Sequence, residues 1–251
     1  MSDHSDSPPA PPADLLAGAS LFLDFDGTLV AIAERPDAVV VDARLDRLMT
    51  GLIDRLQGRV AIISGRSLAE IDRMIARGRV AIGGSHGLEL RWPDGRTRVP
   101  AAPPGLARIV AAMRAMQAEH PALIVEEKPF SAALHYRSMP AAEESCRTLA
   151  ARLADREGMS LQAGKMVFEI KAAGQDKGSA LRALMEEPPM RGTRPVFVGD
   201  DETDEAAFHA AAALGGAGIL VGAARPTEAR YRLDDVAATR DWLEQAAGAL
   251  A

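Results

Sequence analysis

Cysteine is all but missing. Cys146 is the only one in 251 residues, so no intrachain disulfide can form, which suits a reducing compartment. No apolar stretch reaches the length of a membrane span. The N-terminus lacks a basic region followed by an apolar one, so a cytoplasmic chain is expected. Positive charge is in deficit, with 29 Lys and Arg against 35 Asp and Glu and a net charge of −6. That argues against general affinity for nucleic acid or an anionic membrane, and it means that an anionic ligand needs locally concentrated positive charge. Lysine is scarcer still: Lys128, Lys165, Lys171 and Lys177 stand alone among arginines. Where Arg is the habitual choice, a Lys can mark a site that wants a compact point charge. What remains is ordinary for a soluble globular chain, with 47% hydrophobic and 25% charged residues. The length allows one large domain or two smaller ones.

Residues 1–13, including Ser5-Asp6-Ser7-Pro8-Pro9, have little to bury and read as a disordered Pro-rich tail. The buried strand Leu21-Phe22-Leu23 follows. Asp42 precedes an amphipathic helix with Leu45, Leu48, Met49, Leu52, Ile53 and Leu56 at helical spacing. Val60–Ile63 is a second buried strand, Leu68, Ile71 and Ile75 lie on a helix, and Val80–Ile82 is a third strand. Pro93-Asp94-Gly95 reads as a hairpin turn. The order then changes to helix-strand-strand, twice over, which predicts an antiparallel sheet with helices on one face. Beyond Lys177 the earlier alternation returns. The expected architecture is an α/β parallel-sheet core, 14–101 and 173–251, interrupted by an inserted α+β domain, 102–172.

Four segments carry chemistry. Asp24-Phe25-Asp26-Gly27-Thr28 ends the first strand, which places Asp24 and Asp26 at the rim of a crevice. Two acids so close repel, and a divalent metal is their natural companion. A calcium loop is excluded, because Gly27 comes two positions too early and Arg35 stands where the closing Glu belongs. Ser64-Gly65-Arg66 follows the second strand at a helix start, where a hydroxyl and free amides suit a phosphate, although taken alone such a tripeptide is more often just a strand-to-helix turn with an N-cap. Lys177 opens a helix against the dipole, yet a lone Lys is usually a solvated surface residue. Asp200-Asp201-Glu202-Thr203-Asp204-Glu205 supplies five acids in six positions after a buried strand. An acidic first helical turn is one explanation. An oxygen-only magnesium site completed with Asp24 and Asp26 is the other.

In this order the four segments resemble the motifs of the haloacid dehalogenase superfamily of phosphatases. The resemblance implies that Asp24 is the nucleophile and Asp26 the general acid and base. It implies that Ser64, Gly65 and Lys177 bind the phosphoryl group, and that Mg2+ is held by Asp24, the backbone of Asp26, and Asp200. Asp201 and Asp204 would be outer or weaker ligands. Within the insert, Val125-Glu126-Glu127-Lys128, Ala133-Leu134-His135-Tyr136-Arg137 and Val167-Phe168-Glu169-Ile170 look like cap segments of the trehalose-6-phosphate phosphatases. Ser85-His86-Gly87-Leu88-Glu89 matches that family too. Slight departures are Ala31 where Pro is frequent and Ala206 where a further Asp is frequent.

By this resemblance Glu126, Lys128 and Glu169 contact sugar hydroxyls and Arg66 lies near the substrate. Without it, the glutamates read as solvent-facing positions of half-buried strands. The implied protein is a monomer that hydrolyses a small sugar phosphate, trehalose 6-phosphate, with no nucleic-acid or membrane partner. A related sugar phosphatase or a phosphomutase is the alternative, separated by a requirement for a sugar bisphosphate. A silent sugar-phosphate-binding module requires a broken motif, and Asp24, Asp26, Lys177 and Asp200 are all present.

Overall fold

The computed structural model describes residues 8–32, 39–75, 80–172 and 174–250. Residues 1–7 of the expected tail, Arg35, and Ala173 at the expected return to the core lie outside the described residues. The chain runs through β1 (Ala19–Leu23), α1 (Ala43–Arg55), β2 (Val60–Ile63), α2 (Leu68–Met74), β3 (Ala81–Gly84), β4 (Glu89–Arg91) and β5 (Thr97–Arg98). It then forms α3 (Leu106–Glu119), β6 (Ile124–Glu127), β7 (Ser131–His135), α4 (Glu143–Glu157), β8 (Ser160–Gly164) and β9 (Val167–Lys171). It returns with α5 (Lys177–Met185), β10 (Arg194–Gly199), α6 (Glu205–Ala213), β11 (Ala217–Val221), β12 (Tyr231–Leu233) and α7 (Val236–Ala249). Two compact units result, Met1–Val99 with Asp176–Ala251, and Pro100–Gln175.

The first unit is built on an eight-stranded sheet in the order β12-β11-β10-β1-β2-β3-β4-β5. It is parallel from β12 to β3, and β4 and β5 add an antiparallel edge. Every residue of β1 is buried, as a strand covered on both faces requires. Successive side chains point to opposite faces. Leu21 and Leu23 therefore join one cluster with Leu45, Leu52, Ile71 and Trp242 from α1, α2 and α7. Phe22 joins another with Leu181, Leu184 and Phe208 from α5 and α6. The chain winds from β1 towards β2 and β3 on one side, and from β10 towards β12 on the other. The strand order thus reverses between β1 and β10, where sheets of this type leave a crevice at their carboxyl ends.

The expected tail is corrected over its later half. Pro11 is buried, the Pro9 carbonyl accepts from the Arg232 amide at 3.0 Å, and Trp242 Nε1 donates to the Pro12 carbonyl at 3.4 Å. Prolines cannot donate, but their carbonyls still accept, and that suffices to dock the segment.

The second unit is a four-stranded antiparallel sheet, β6-β7-β9-β8, with α3 and α4 on one face. Ile109, Met113, Leu134, Cys146, Leu153, Phe168 and Ile170 form its core. No helix among the described residues is long and apolar enough to cross a membrane.

Candidate active site

The carboxyl ends of three neighbouring parallel strands bring the acidic segments together. The Asp24 amide donates to the Val198 carbonyl at 2.8 Å, so Asp24 continues the pairing of β1 with β10. Leu23 pairs with Ile62 on one side and Val198 on the other, which sets the ends leading to Ser64 and Asp200 on either side of Asp24. Gly27 is demanded twice over. Its φ is +86°, and a Cβ there would lie 2.1 Å from Asp200 Oδ2. Thr28 Oγ1 donates to Asp200 Oδ1 at 3.3 Å, so the turn after β1 also holds the carboxylate that follows β10.

Lys177 is no surface residue: it is 3% exposed. Asp176 caps α5 by accepting from the Ser179 amide at 2.7 Å, which fixes where the helix starts and hence where Lys177 points. Its Nζ lies 2.7 Å from Asp24 Oδ1 and 2.7 Å from Asp204 Oδ1. Asp204 is fully buried, and its Oδ2 accepts from the Asp201 amide at 2.9 Å. Both Asp204 oxygens are thus engaged in holding Lys177 and the acidic loop. Two other acids of the cluster, Asp201 and Glu205, are used locally. Asp201 caps the turn at Glu202, and Glu205 pairs with Arg225 and accepts from Thr227 Oγ1 and the Glu228 amide. The acidic-first-turn explanation therefore covers Asp201, Glu205 and the Asp204 oxygen that closes a capping box with Asp201, but it accounts neither for Asp200 nor for the Asp204 oxygen on Lys177.

Negative charge is in excess here. Burial pushes the Asp24 carboxyl well above the usual range, Lys177 opposes this, and Asp204 and Asp200 add to it. Asp200 is pushed up to about 6 by burial and by the Asp204 charge, again with Lys177 opposing. Burial alone would lower the Lys177 ammonium, but the flanking Asp24 and Asp204 charges outweigh it and hold it well above its ordinary value. One oxygen each from Asp24, Asp200 and Asp204 lies within 4.8 Å of the others. An all-oxygen donor set short of positive charge fits a hard divalent cation. With Asp204 engaged elsewhere, Asp24 and Asp200 are the side chains left to hold it.

Those shifts give a first test. A carboxyl raised in the folded state stabilises fully below its unfolded value, near 3.8, and loses that contribution as pH rises through about 6. In chelator, Asp200→Asn is expected to raise stability at pH 7.5 by about 1–2 kcal/mol, discounted for partial exposure, and to change little at pH 4. Thermal unfolding of both proteins across this range checks it. A difference independent of pH would show that Asp200 carries no such strain.

Ser64 is 2% exposed, and its Oγ accepts from the Arg66 amide at 3.2 Å. It does not start a helix. α2 begins at Leu68, capped by Ser67 with Glu70 closing a capping box, so Ser64-Gly65-Arg66 forms a separate loop. The ring of His86 fills the space beside Gly65, where a Cβ would lie 2.7 Å from Nε2. The Arg66 guanidinium forks onto Asp26, with Nε 2.6 Å from Oδ2 and Nη2 2.7 Å from Oδ1. Sequence reasoning placed Arg66 near the substrate and missed this partner.

In the second unit, Glu126 pairs with Ala133, Ala133 with Glu169, and Glu169 with Gln162, so one row crosses the sheet. The row lies on the face opposite α3 and α4, because Leu134, Phe168 and Ile170 take the covered side. Lys128 Nζ lies 3.1 Å from Glu169 Oε1, which also accepts from Ser131 Oγ at 2.6 Å. His135 Nε2 lies 2.9 Å from Glu126 Oε2. Lys128 Nζ also lies 3.9 Å from Glu126 Oε1, so Glu126, Lys128 and Glu169 are a connected polar group. Ser131 and His135 belong to it and were not singled out as site residues. Their period-two spacing with Ala133 was the available signal.

Comparison with known proteins identifies the family and the fold. The trehalose-phosphatase family model matches residues 22–237. A trehalose-6-phosphate phosphatase of Escherichia coli (strain K12) is 38% identical over 239 residues, covering 94% of this chain and 90% of that one. A crystal structure of a trehalose-6-phosphate phosphatase related protein has a TM-score of 0.73 at 29% identity, covering 89% of this chain and 95% of that one. A haloacid dehalogenase-like hydrolase from Bacteroides thetaiotaomicron, 15% identical with a TM-score of 0.64 over 89% of this chain and 97% of its own, shares the fold. The fold is thus haloacid dehalogenase-like, a parallel-sheet core with an inserted α+β unit. Since the matched span runs from Phe22 in β1 to Ala237 in α7, and so through every acid of the buried site and the whole insert, the chain belongs to the trehalose-phosphatase family and is a phosphatase.

Proposed function

We propose that the chain converts trehalose 6-phosphate to trehalose and phosphate through an aspartyl phosphate, with magnesium bound. The observation that carries this reading is the buried Asp24–Lys177–Asp204 chain beside Asp200. A carboxylate oriented by an ammonium at the end of a buried strand is a nucleophile held in place, and phosphoryl transfer depends mainly on positioning and charge neutralisation. Asp24 attacks phosphorus, and the bond to the sugar oxygen breaks as Asp26 protonates it. Asp26 then takes a proton from the water that attacks the aspartyl phosphate, which frees Asp24 and inorganic phosphate. Lys177, Ser64 and the Gly65 backbone hold the phosphoryl oxygens. Asp24, the Asp26 backbone and Asp200 would hold Mg2+, which when bound supplies charge neutralisation and Lewis acidity. Glu126, Lys128 and Glu169 recognise the sugar hydroxyls. Cys146 is buried and in keeping with a reducing cytoplasm, where the chain acts as a monomer on this small substrate.

The test is phosphate release from a panel of sugar phosphates and a small aryl phosphate, with and without magnesium. Trehalose 6-phosphate should be preferred, and chelation should stop its hydrolysis until magnesium is returned. Glu126→Ala, Lys128→Ala and Glu169→Ala should each lower kcat/KM for it by about tenfold to a hundredfold, the worth of one charged hydrogen bond. Because remote binding energy also aligns the phosphate, kcat should fall along with the rise in KM. The aryl phosphate, which has no sugar to grip, should be nearly unaffected. Full activity after removal of divalent metal sinks the magnesium assignment, and equal losses on both substrates sink the assignment of these residues to the sugar.

A further inference from the structure

Both oxygens of the Asp26 carboxylate are held by one side chain. Arg66 reaches it through Nε and Nη2, at 2.6 and 2.7 Å, in the side-on fork that fixes a carboxylate in its own plane. Arg66 is itself pinned at both ends. Its amide donates to Ser64 Oγ at 3.2 Å, its carbonyl accepts from the Ser85 amide at 2.8 Å, and its guanidinium lies over the Phe25 ring, 5.8 Å from the centroid. Its side chain is only 10% exposed, against 33% for Asp26. A guanidinium so enclosed, with its fork already spent, is poorly placed to grip a sugar. It is well placed to stop the neighbouring carboxylate from rotating. Two contacts define the plane of a carboxylate, whereas a single point charge leaves it free to turn about its bond. Proton transfer depends on such alignment, and a misplacement of about 1 Å costs on the order of a hundredfold.

We infer that Arg66 is the positioning residue of Asp26, aiming its carboxyl at the leaving oxygen and then at the attacking water. This rests on the proposed role of Asp26 as general acid and base. The first step breaks the bond between phosphorus and the alcohol oxygen, and the Asp26 proton goes to that oxygen. A leaving group that departs easily as an anion has no need of that proton. Arg66 should therefore matter in proportion to how poor the leaving group is, whether or not a sugar is present.

The experiment compares kcat/KM, which reports steps through the first irreversible one, for three esters on the full-length protein with magnesium. Trehalose 6-phosphate has a poor leaving group and a sugar, a simple alkyl phosphate has a poor leaving group without the sugar, and 2,4-dinitrophenyl phosphate has a good leaving group. Arg66→Met is expected to lower kcat/KM on the order of tenfold to a hundredfold for both alkyl esters and by less than about threefold for the dinitrophenyl ester. With the latter, a burst of dinitrophenol followed by slowed turnover should appear, because water attack still needs Asp26 in place. Arg66→Lys, which keeps the charge but not the fork, should resemble Arg66→Met. In an Asp26→Asn background, Arg66→Met should add almost nothing.

A loss confined to trehalose 6-phosphate would assign Arg66 to the sugar and overturn the inference. Equal losses on all three esters, no loss on any, or full rescue by Arg66→Lys would each overturn it as well. Asp26→Asn on the same panel separates the two levels. If its losses are equal across the esters, the general-acid reading itself fails. If they follow the leaving group while those of Arg66→Met do not, only the role of Arg66 falls.

Discussion

Replacing Asp24 with asparagine is expected to abolish turnover, by on the order of 10⁴-fold or more, in a protein that stays folded. An amide cannot attack phosphorus usefully, so neither the proposed aspartyl phosphate nor its hydrolysis would be available. The fold survives because the substitution keeps the shape and an oxygen for Lys177, whose other partner is Asp204 at 2.7 Å. It also removes a carboxyl whose ionised form is disfavoured by burial and by two neighbouring acids. Stability at neutral pH should therefore hold or rise while phosphate release vanishes. Steady-state release measured beside urea unfolding decides it. Sustained turnover by a well-folded Asp24→Asn protein would reject the nucleophile.

The second large effect is on stability. Lys177→Met should destabilise the protein by about 3–5 kcal/mol, because it strips a buried pair of carboxylates of their counter-charge. The ammonium touches Asp24 and Asp204, 5% and 0% exposed, so water cannot take its place. Methionine fills the stem volume, and the loss is therefore electrostatic rather than a cavity. It should shrink towards pH 5, as Asp24 and Asp200, whose carboxyls are raised by burial, take up protons, and it should be largest at neutral pH. Adding Asp204→Asn should recover part of it, with the shortfall from additivity measuring the coupling. Urea unfolding of the four proteins of the cycle provides the numbers. A single substitution costing less than about 1 kcal/mol at pH 7.5 would mean that Lys177 is not what balances the site.

Much of this is legible in the sequence. Leu21-Phe22-Leu23 followed by Asp24 places a carboxylate at a strand end because burial and the parallel-sheet rule act locally along the chain. Asp200 after Val198 is legible for the same reason. Pairings across the fold were not legible. Lys177 meets Asp204 27 residues away, and Arg66 meets Asp26 40 residues away. Nothing in local spacing selects those partners from several acids of equal claim. The misplaced helix start is different, since Ser67-x-x-Glu70 is a capping box in the sequence itself and was overlooked in favour of Ser64. β12 was missed because three residues give no period to detect. In the insert, alternation put Glu126 and Glu169 on the open face, yet it could not tell a solvated position from a recognising one. The Lys128 and Ser131 contacts to Glu169 depend on the register of β7 with β9.

The interruption of the core by Pro100–Gln175 has a consequence for how the protein comes into being. β1 takes its second neighbour from far downstream, Ala19 pairing with Arg194. At translation speeds of about 5–20 residues per second, the strand Leu21-Phe22-Leu23 waits roughly ten seconds or more with one edge unmatched. The insert pairs only with itself and can be finished in that interval. Asp24 can receive Lys177 only after the insert has been made, and Asp204 only after β10 has followed. A ribosome-bound fragment ending between the insert and β10 therefore carries Asp24, the proposed nucleophile, but lacks Asp200, Asp204 and the strand that pairs beside Asp24. In this architecture activity is acquired late and all at once, after the synthesis of the insert is complete.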